Sequence, residues 1–78
     1  MPLHVTESCL VFARQLGDEV VLSGFNLGMQ SATVDLPIWK LGIENAEFRC
    51  PMSQQILSAA QGVLAVTIES EQSLLLVN

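Results

Sequence analysis

The sequence predicts an all-β fold: a small antiparallel Greek-key β-sandwich formed by a single domain, residues 1–78. Three observations lead to this prediction. Apolar residues alternate with a period of two in several segments, as they do in β-strands. Turn residues separate those segments at intervals of about 8 to 12 residues, the spacing typical of sandwiches and barrels. The chain has 78 residues, which is enough for one small domain and no more.

The first predicted strand covers residues 9–14 and is apolar on both faces. Leu10 and Phe12 point to one side, and Val11 and Ala13 point to the other, because successive side chains of a strand alternate. Such a strand is covered on both faces, or has one face on the core and the other on a partner. Half of all residues are hydrophobic, which indicates a well-filled core or a face that rests on a neighbour.

Residues 1–8 are expected to be an extended segment that leads into this strand. A hairpin turn follows the strand. Residues 15–18 predict a turn, since they contain Gly17 and Asp18. The next strand, residues 19–26, must run antiparallel to the first, because so short a link cannot make a crossover. Gly24 inside it indicates a bulge, or a close approach by another backbone or a bulky ring.

A third strand is predicted at residues 31–36, after a turn at residues 26–30 that contains Gly28. Thr33 favours extended backbone in this strand, and Pro37 ends it. The three strands are expected to form a meander with tight links.

The second half of the chain is partly legible. Residues 38–41 and 46–50 are each compatible with a short strand, and residues 53–61 predict irregular structure or another short strand. Residues 63–69 alternate clearly, and residues 73–77 form the last strand after a turn. The aliphatic side chains expected on one face of the 63–69 strand are Leu64, Val66 and Ile68.

Charge and composition disfavour several classes of partner. The chain has eight acidic and three basic residues, which gives a net charge of -5. Nucleic acids and anionic membranes need a basic surface, so neither is expected as a partner. No apolar run approaches the roughly 18 residues of a membrane helix. Residues 1–8 do not read as a signal peptide, and the cytoplasm is the expected compartment.

Few residues are suited to metal or redox chemistry. The single histidine, His4, is expected in a solvated terminal segment with no companion ligands. Cys9 and Cys50 lack the short C-x-x-C spacing and are expected to be buried free thiols, with one disulfide between them as the alternative. We therefore expect no cofactor and no metal.

The carboxylates are expected to be solvated rather than catalytic. Glu44 and Glu47 lie three residues apart, and Glu69 and Glu71 lie two apart. Hydrolysis of a glycosidic bond needs two carboxyl groups held in a cleft, and a sandwich of this size offers little depth for one. No catalytic residue is expected in this chain.

Three residues are candidates for contact with a sugar or a neighbouring domain. Trp39 and Phe48 are aromatic rings that would stack on a sugar face if they were exposed. Packing in the core or at an interface is the alternative for both rings. Arg14 ends the first strand, where it would pair with an acidic residue across the strands or reach a neighbouring domain.

Residues 9–37, CLVFARQLGDEVVLSGFNLGMQSATVDLP, resemble the start of the C-terminal β-domain that follows the catalytic barrel in α-amylase family glycoside hydrolases (family 13). The opening pattern of that domain, l-x-F/Y-x-R, is carried here by Leu10, Phe12 and Arg14, and its short turn by Gly17-Asp18. A second strand ending in asparagine matches VVLSGFN, and the strand that follows matches ATVDLP.

The resemblance continues to residue 77 in the same order. A segment with a tryptophan is matched by Trp39. The late pattern G-x-L-x-V-x-L…S-x-x-L is matched by Gly62, Leu64, Val66, Ile68, Ser73 and Leu76. The branch most similar to this chain contains the maltodextrin glucosidases and neopullulanases. The middle segment, and the turn ESEQ at residues 69–72, depart from the family pattern.

This resemblance implies a noncatalytic accessory domain. The family's catalytic aspartates and glutamate lie in the barrel, so the resemblance places no catalytic residue here. The implied partner is the catalytic (β/α) barrel of a parent enzyme that hydrolyses α-glucosidic bonds in maltodextrins. The domain would pack on that barrel and stabilise it, since covering 100 Å² of apolar surface is worth roughly 2.5 kcal/mol. The α-glucan itself is a further candidate ligand.

Two other functions remain open. One is a carbohydrate-binding module that uses exposed aromatic rings, and the other is a free-standing protein-interaction domain with an apolar sheet face. The first predicts an aromatic ring that responds to maltooligosaccharides, and the second predicts self-association in solution.

Overall fold

The computed structural model describes residues 2–78 as two antiparallel β-sheets packed face to face. The strands are, in chain order, β1 (Pro2–Val5), β2 (Cys9–Leu16), β3 (Glu19–Asn26), β4 (Ala32–Leu36), β5 (Ala46–Arg49), β6 (Ile56–Ala59), β7 (Leu64–Ile68) and β8 (Ser73–Val77). Six of them form one sheet in the order β1-β2-β3-β8-β5-β6, and β4 and β7 form the other. The predicted all-β antiparallel sandwich is confirmed, and its Greek-key connectivity stays a prediction.

The β2–β3 hairpin is longer than the sequence indicates. The two strands pair without irregularity from Cys9↔Asn26 to Leu16↔Glu19, so the turn contains two residues rather than the four predicted at 15–18. Gly17 occupies the first of these positions with φ +60°, as glycine does in type II′ turns. The hairpin is thereby fixed in one register.

Gly24 marks a close backbone approach, as one of the two readings of the sequence predicts. A Cβ placed on Gly24 would lie 2.7 Å from the carbonyl oxygen of Leu10 and 2.9 Å from a methyl group of Val11. The pairing with β2 continues through this position without a bulge. A glycine is needed here because any side chain would collide with the neighbouring strand.

The predicted meander of three strands is wrong. After β3 the chain crosses to the other sheet, where β4 pairs with β7 over five residues from Ala32↔Ile68 to Leu36↔Leu64. The second neighbour of β3 is instead β8. The link between β3 and β4, residues 27–31, is long enough to cross the edge of the core, which local turn signals do not reveal.

Hydrogen bonds hold this crossing in place. The Oδ1 atom of Asn26 accepts a 2.8 Å bond from the backbone N–H of Gly28, and its Nδ2 atom donates to the carbonyl of Gln30 at 2.9 Å. The Ser70 hydroxyl donates to the carbonyl of Gly28 at 2.7 Å, and the N–H of Leu27 donates to the carbonyl of Ser8 at 2.6 Å. The crossing segment is therefore tied to the turns on either side of it.

The middle of the chain contains one 3₁₀ helix. Residues Ile38–Leu41 form it, whereas a short strand was the sequence-based expectation. Pro37 precedes the helix and Gly42 follows it with φ +80°, so proline and glycine bound the segment as they commonly bound helices. The short strand predicted near residues 46–50 is confirmed as β5. For residues 53–61 the sequence leaves irregular structure and a short strand both open, and the structure has a short strand there, β6.

The core lies between the two sheets. The alternation predicted in β7 is confirmed, since three side chains are buried while Ala65 and Thr67 between them are exposed. The largest fully buried side chains of the core are Phe48, Leu22, Leu36, Ile38, Leu64, Ile68 and Leu76. They come from both sheets and from the 3₁₀ helix, so the core depends on the long-range pairing of all these elements.

The N-terminal segment is part of the sheet. Residues 2–5 form β1, an edge strand that pairs with β2. His4 is half-buried and is the register partner of Val11, so the expected solvated terminal position is wrong. Within residues 2–78, no helix is long and apolar enough to cross a bilayer.

Candidate interdomain interface

The solvent-facing sides of the two sheets differ in character. On the β4–β7 sheet this side is polar, and the hydroxyl groups of Thr33 and Thr67 are hydrogen-bonded at 3.0 Å. Asp35 and Ala65 form the next exposed pair along this sheet. This side therefore has the composition of an ordinary solvated sheet surface.

The solvent-facing side of the six-stranded sheet is apolar, and we call it the outer face. Paired residues of antiparallel strands point to the same side, so the register defines its rows. Two rows contain Val5, Leu10, Phe25 and Ser73, and Pro2, Phe12, Ser23 and Leu75. The exposed fractions of the large apolar side chains in these rows are Val5 64%, Leu10 37%, Phe12 43%, Phe25 41% and Leu75 38%.

A third row of the outer face carries two arginines. It runs from Arg14 on β2 through Val21 and Val77 to Arg49 on β5 and Ile56 on β6. Both valines are half-buried, and Ile56 is exposed. Because neighbouring strands lie about 4.8 Å apart, the two arginine backbones are separated by roughly 14 Å across an apolar strip.

The outer face is electrically neutral in an acidic protein. It carries Arg14, Arg49, Glu19 and Glu47, which sum to zero. The chain has three basic and eight acidic residues, so the remaining surface carries one basic and six acidic residues, a net charge of -5. The net negative charge of the chain therefore lies off the outer face.

The whole molecule exposes more surface than a compact monomer of its mass. Its solvent-accessible area is 5109 Å², whereas a folded monomer of this mass exposes roughly 4,650 Å². The excess is about 450 Å². An exposed apolar patch such as the outer face is typical of a contact region.

The first predicted site residue, Arg14, lies on the outer face. Its side chain is exposed, and its register partner on β3 is Val21. The acidic residue nearest to it across the strands is Glu19, two residues along β3 from Val21, so the alternative of an acidic partner across the strands stays a prediction. Contact with a neighbouring domain also stays a prediction.

The predicted surface role of Phe48 is wrong. The ring is fully buried, because β5 turns Phe48 inward while Glu47 and Arg49 point to solvent. Phe48 contributes packing in the core and is inaccessible to a sugar or to another domain.

Trp39 is exposed, as a contact residue must be. Its side chain has 57% of its surface in solvent, and the Lys40 ammonium lies 5.6 Å from the ring centroid, within cation–π distance. Its backbone N–H donates to the carbonyl of Gly62 at 3.0 Å. Trp39 lies on the 3₁₀ helix, whereas Arg14 lies on the outer face and Phe48 is buried in the core, so the three predicted residues do not share one surface.

A cleft of about 370 Å³ lies beside β6, β7 and β8. Its lining includes the apolar side chains of Leu57, Leu74 and Leu76, and Glu69 is the carboxylate among its lining residues. Cys50 also lines this cleft.

The two cysteines are free thiols. Cys9 is buried as expected, whereas Cys50 is half-buried. The hydroxyl of Ser53 donates to the Cys50 sulfur and, with the backbone N–H groups of Ser53 and Met52, lowers the pKa of this thiol below its ordinary value. Among residues 2–78, no group of three or more His, Cys, Asp or Glu side chains lies together in a way that suits a metal ion.

Sequence reasoning found part of the outer face. Apolar residues on both sides of the first strand indicate two covered faces, or one face on the core and one on a partner, without deciding which. The structure places Leu10 and Phe12 on the solvent-facing side, together with Phe25 and Leu75. Sequence reasoning did not find Arg49, because the position of β5 beside β8 depends on a single long-range pair, Arg49↔Val77. The signal in the sequence that identifies such a face is a strand with apolar residues at both its odd and its even positions, because these positions face opposite sides of the sheet.

No family profile and no curated protein sequence matches the chain, but several solved structures share its fold. The crystal structure of AmyP in complex with maltose has a TM-score of 0.83 and 13% identity, over 99% of this chain and 15% of that chain. The α-amylase of Geobacillus thermoleovorans complexed with acarbose has a TM-score of 0.84 and 17% identity, over 97% of this chain and 17% of that chain.

A third similar structure comes from another glycosidase. The α-galactosidase I of Mortierella vinacea has a TM-score of 0.76 and 17% identity, over 97% of this chain and 22% of that chain. At these identities the likeness establishes a shared fold. The present chain therefore has the fold of a small β-sandwich found in much longer glycosidase chains, and it spans about 15% of the AmyP chain.

Proposed function

We propose that this chain is a noncatalytic accessory β-domain of an α-amylase family glycosidase, and that it packs on the catalytic barrel through its outer face. The observation that carries the proposal is the presence of exposed apolar side chains in adjacent rows of that face. Phe12 and Phe25 are 43% and 41% exposed on strands whose opposite side is already buried in the core. Covering these rings would remove apolar surface from water and stabilise both domains.

Three further observations support this proposal. The similar folds in AmyP and in the Geobacillus amylase occupy a small part of each chain. The outer face is neutral, whereas the remaining surface is acidic. The cleft beside β7 contains one carboxylate, Glu69, among its lining residues, whereas glycoside hydrolysis uses a pair. The maltodextrin glucosidase and neopullulanase branch is the proposed source of the parent enzyme, with maltodextrin as its substrate.

The experiment compares the isolated chain with the complete polypeptide encoded by its reading frame. The double variant Phe12→Ser/Leu75→Ser removes two apolar side chains of the outer face. We expect it to lower the unfolding temperature of the complete polypeptide and to increase cleavage between its domains by protease. In the isolated chain it should lower stability less, because the two side chains are 43% and 38% exposed there and are proposed to become fully covered only in the complete polypeptide.

The matched control is Met29→Ser/Met52→Ser. These two side chains are 95% and 84% exposed and lie in links between strands rather than in the rows of the outer face, so their replacement should have no effect in either form. A reading frame without a second domain, or equal effects of the two double variants, would refute the proposal.

A second candidate function, carbohydrate binding, is favoured by the exposure of Trp39. An exposed tryptophan ring beside Lys40 offers an aromatic platform with a polar neighbour. Trp39 is the only tryptophan of the chain, so intrinsic fluorescence reports on this site alone. A saturable fluorescence change with maltooligosaccharides would support binding, and no change at millimolar concentrations would exclude it.

A further inference from the structure

Resting on the proposed function, we infer that the catalytic domain presents acidic groups opposite Arg14 and Arg49, and that these two ion pairs fix the orientation of the domains. The partner surface is therefore apolar in its middle and carries two carboxylates. The two arginine backbones are separated by three strand spacings, roughly 14 Å. The two carboxylates of the partner would each lie within hydrogen-bonding reach of one guanidinium group.

The positions of the arginines carry this inference. Arg14 lies in the row next to Phe12, and its neighbour across the sheet is Val21. Arg49 lies between Val77 and Ile56. Each guanidinium is therefore flanked by the apolar side chains that the partner is proposed to cover, and both arginines lose water when the face is covered.

Desolvation requires a partner for each arginine. Guanidinium stays protonated under all ordinary conditions, and an unpaired buried charge is strongly unfavourable. Among residues 2–78 the acidic residues of the outer face are Glu19 and Glu47, each two residues along a strand from the row of the arginines. Their register partners are Leu16 and Ser58, so an in-chain pair with an arginine would be diagonal or along one strand, and the arginine variants of the isolated chain measure its contribution.

The surface beside Arg49 is shaped to admit a side chain. A concavity of about 220 Å³ is lined by Arg49, Ile56, Val77 and Asn78, together with parts of Glu47 and Phe48. A carboxylate that enters it meets the Arg49 guanidinium and the apolar side chains of Ile56 and Val77, beside Glu47 and Asn78, which also line the concavity. Bidentate pairing of this kind adds directional specificity, which an apolar contact alone does not supply.

The test uses the three cations of the chain as a matched set. Arg14→Glu, Arg49→Glu and Lys40→Glu are each made in the complete polypeptide and in the isolated chain. Lys40 lies on the 3₁₀ helix, outside the outer face, and serves as the control. We expect each arginine reversal to lower the unfolding temperature of the complete polypeptide by several degrees, while Lys40→Glu changes it by less than a degree.

The isolated chain controls for folding. All three residues are exposed, so all three variants should retain the circular dichroism spectrum and unfolding temperature of the parent chain. The milder variants Arg14→Lys and Arg49→Lys retain charge and lose the bidentate geometry, and should give intermediate shifts in the complete polypeptide.

The outcomes separate this inference from the proposed function. If Phe12→Ser/Leu75→Ser destabilises the complete polypeptide but the arginine reversals match Lys40→Glu, the inference is overturned and the proposed interface stands. If neither set of variants has an effect, both are overturned. If the isolated chain self-associates and the arginine reversals abolish this, the outer face binds a second copy, and the inference is overturned as well.

Discussion

The side-chain amide of Asn26 donates a 2.9 Å hydrogen bond to the backbone carbonyl of Ile68. Asn26 ends β3 in the large sheet, and Ile68 ends β7 in the small one, so this single bond joins the two sheets. Asn26 is 1% exposed and is the one buried polar residue among the described positions. Its amide also holds both ends of the 27–31 crossing. The asparagine at the end of the second strand is therefore a structural clamp.

Asn26→Asp should strongly destabilise the chain. The substitution keeps the size of the side chain and the acceptor for the Gly28 N–H, but replaces the donor that faces the carbonyls of Gln30 and Ile68. A buried carboxylate facing two carbonyl oxygens loses both bonds and adds repulsion. We expect the free energy of unfolding, measured in urea, to fall by roughly 2–4 kcal/mol.

The control for that substitution is Asn45→Asp. Asn45 is exposed, and its Oδ1 atom accepts a long 3.4 Å bond from the N–H of Gln61. Its replacement should change the free energy of unfolding by no more than about 0.5 kcal/mol. Equal effects of the two substitutions would show that the hydrogen bonds of Asn26 add no specific stability to the fold.

Alanine substitutions at Gly62 and Gly42 distinguish the cost of backbone strain from the cost of a side-chain collision. Both have φ near +80°, but a Cβ on Gly62 would lie 2.6 Å from the Cβ of Trp39, whereas a Cβ on Gly42 would meet open space. Gly42→Ala should therefore cost about 1–2 kcal/mol, the penalty of left-handed backbone. Gly62→Ala should cost that amount and a further 1–3 kcal/mol for overpacking.

The fluorescence of Trp39 gives an independent measurement of the collision. Gly62→Ala should shift its emission maximum, because the ring must move, while Gly42→Ala should leave the emission unchanged. Identical spectra and identical losses of stability for the two variants would contradict the contact.

Gly24→Ala should destabilise the β2–β3 hairpin by about 1–3 kcal/mol. The new methyl group would meet the backbone of Leu10 at 2.7 Å, and a backbone cannot move aside as a flexible side chain can. Ser23→Ala, at the exposed neighbouring position, should be close to neutral. Thermal unfolding measures the stability of the two variants. Equal unfolding temperatures for Gly24→Ala and Ser23→Ala would contradict the close approach of the Leu10 backbone.

The Cys50 thiol should alkylate at lower pH in the folded chain than in the unfolded one. Only the thiolate reacts, and hydrogen bonds from Ser53 and Met52 lower the pKa of Cys50 in the folded state. The pH midpoint of the iodoacetamide reaction should therefore rise in Ser53→Ala and stay unchanged in Ser58→Ala. Peptide mapping distinguishes Cys50 from Cys9, which is buried. An unchanged midpoint in Ser53→Ala would contradict the assigned cause.

The local parts of the fold could be predicted from the sequence. The alternation in β2 and β7 and the glycine of the β2–β3 turn arise from interactions within a few residues, and the pattern shows them directly. The sheet assignment of β4 could not be predicted, because its pairing with β7 joins residues 32 and 68. Nothing near β4 in the sequence distinguishes a meander from a crossing.

The same limit applies to the candidate interface. Phe12 could be placed on the same side as Leu10 from its own strand, although the strand alone does not show whether that side faces the core. Phe48 could not be placed in the core, since AEFR has no clear alternation. The two arginines are 35 residues apart in the sequence, and only the order β2-β3-β8-β5 brings them into one row. The order of the strands in the sheet therefore determines which residues share the outer face, and the local sequence pattern does not reveal that order.

Hydroxyl-radical footprinting of Phe12 and Phe25 tests the contact role of the outer face most directly. In the isolated chain both rings should be oxidised in keeping with their exposure of 43% and 41%. In the complete polypeptide we expect both to be protected, while Met29 and Met52 are oxidised equally in the two forms. Equal oxidation of Phe12 and Phe25 in both forms would contradict the account.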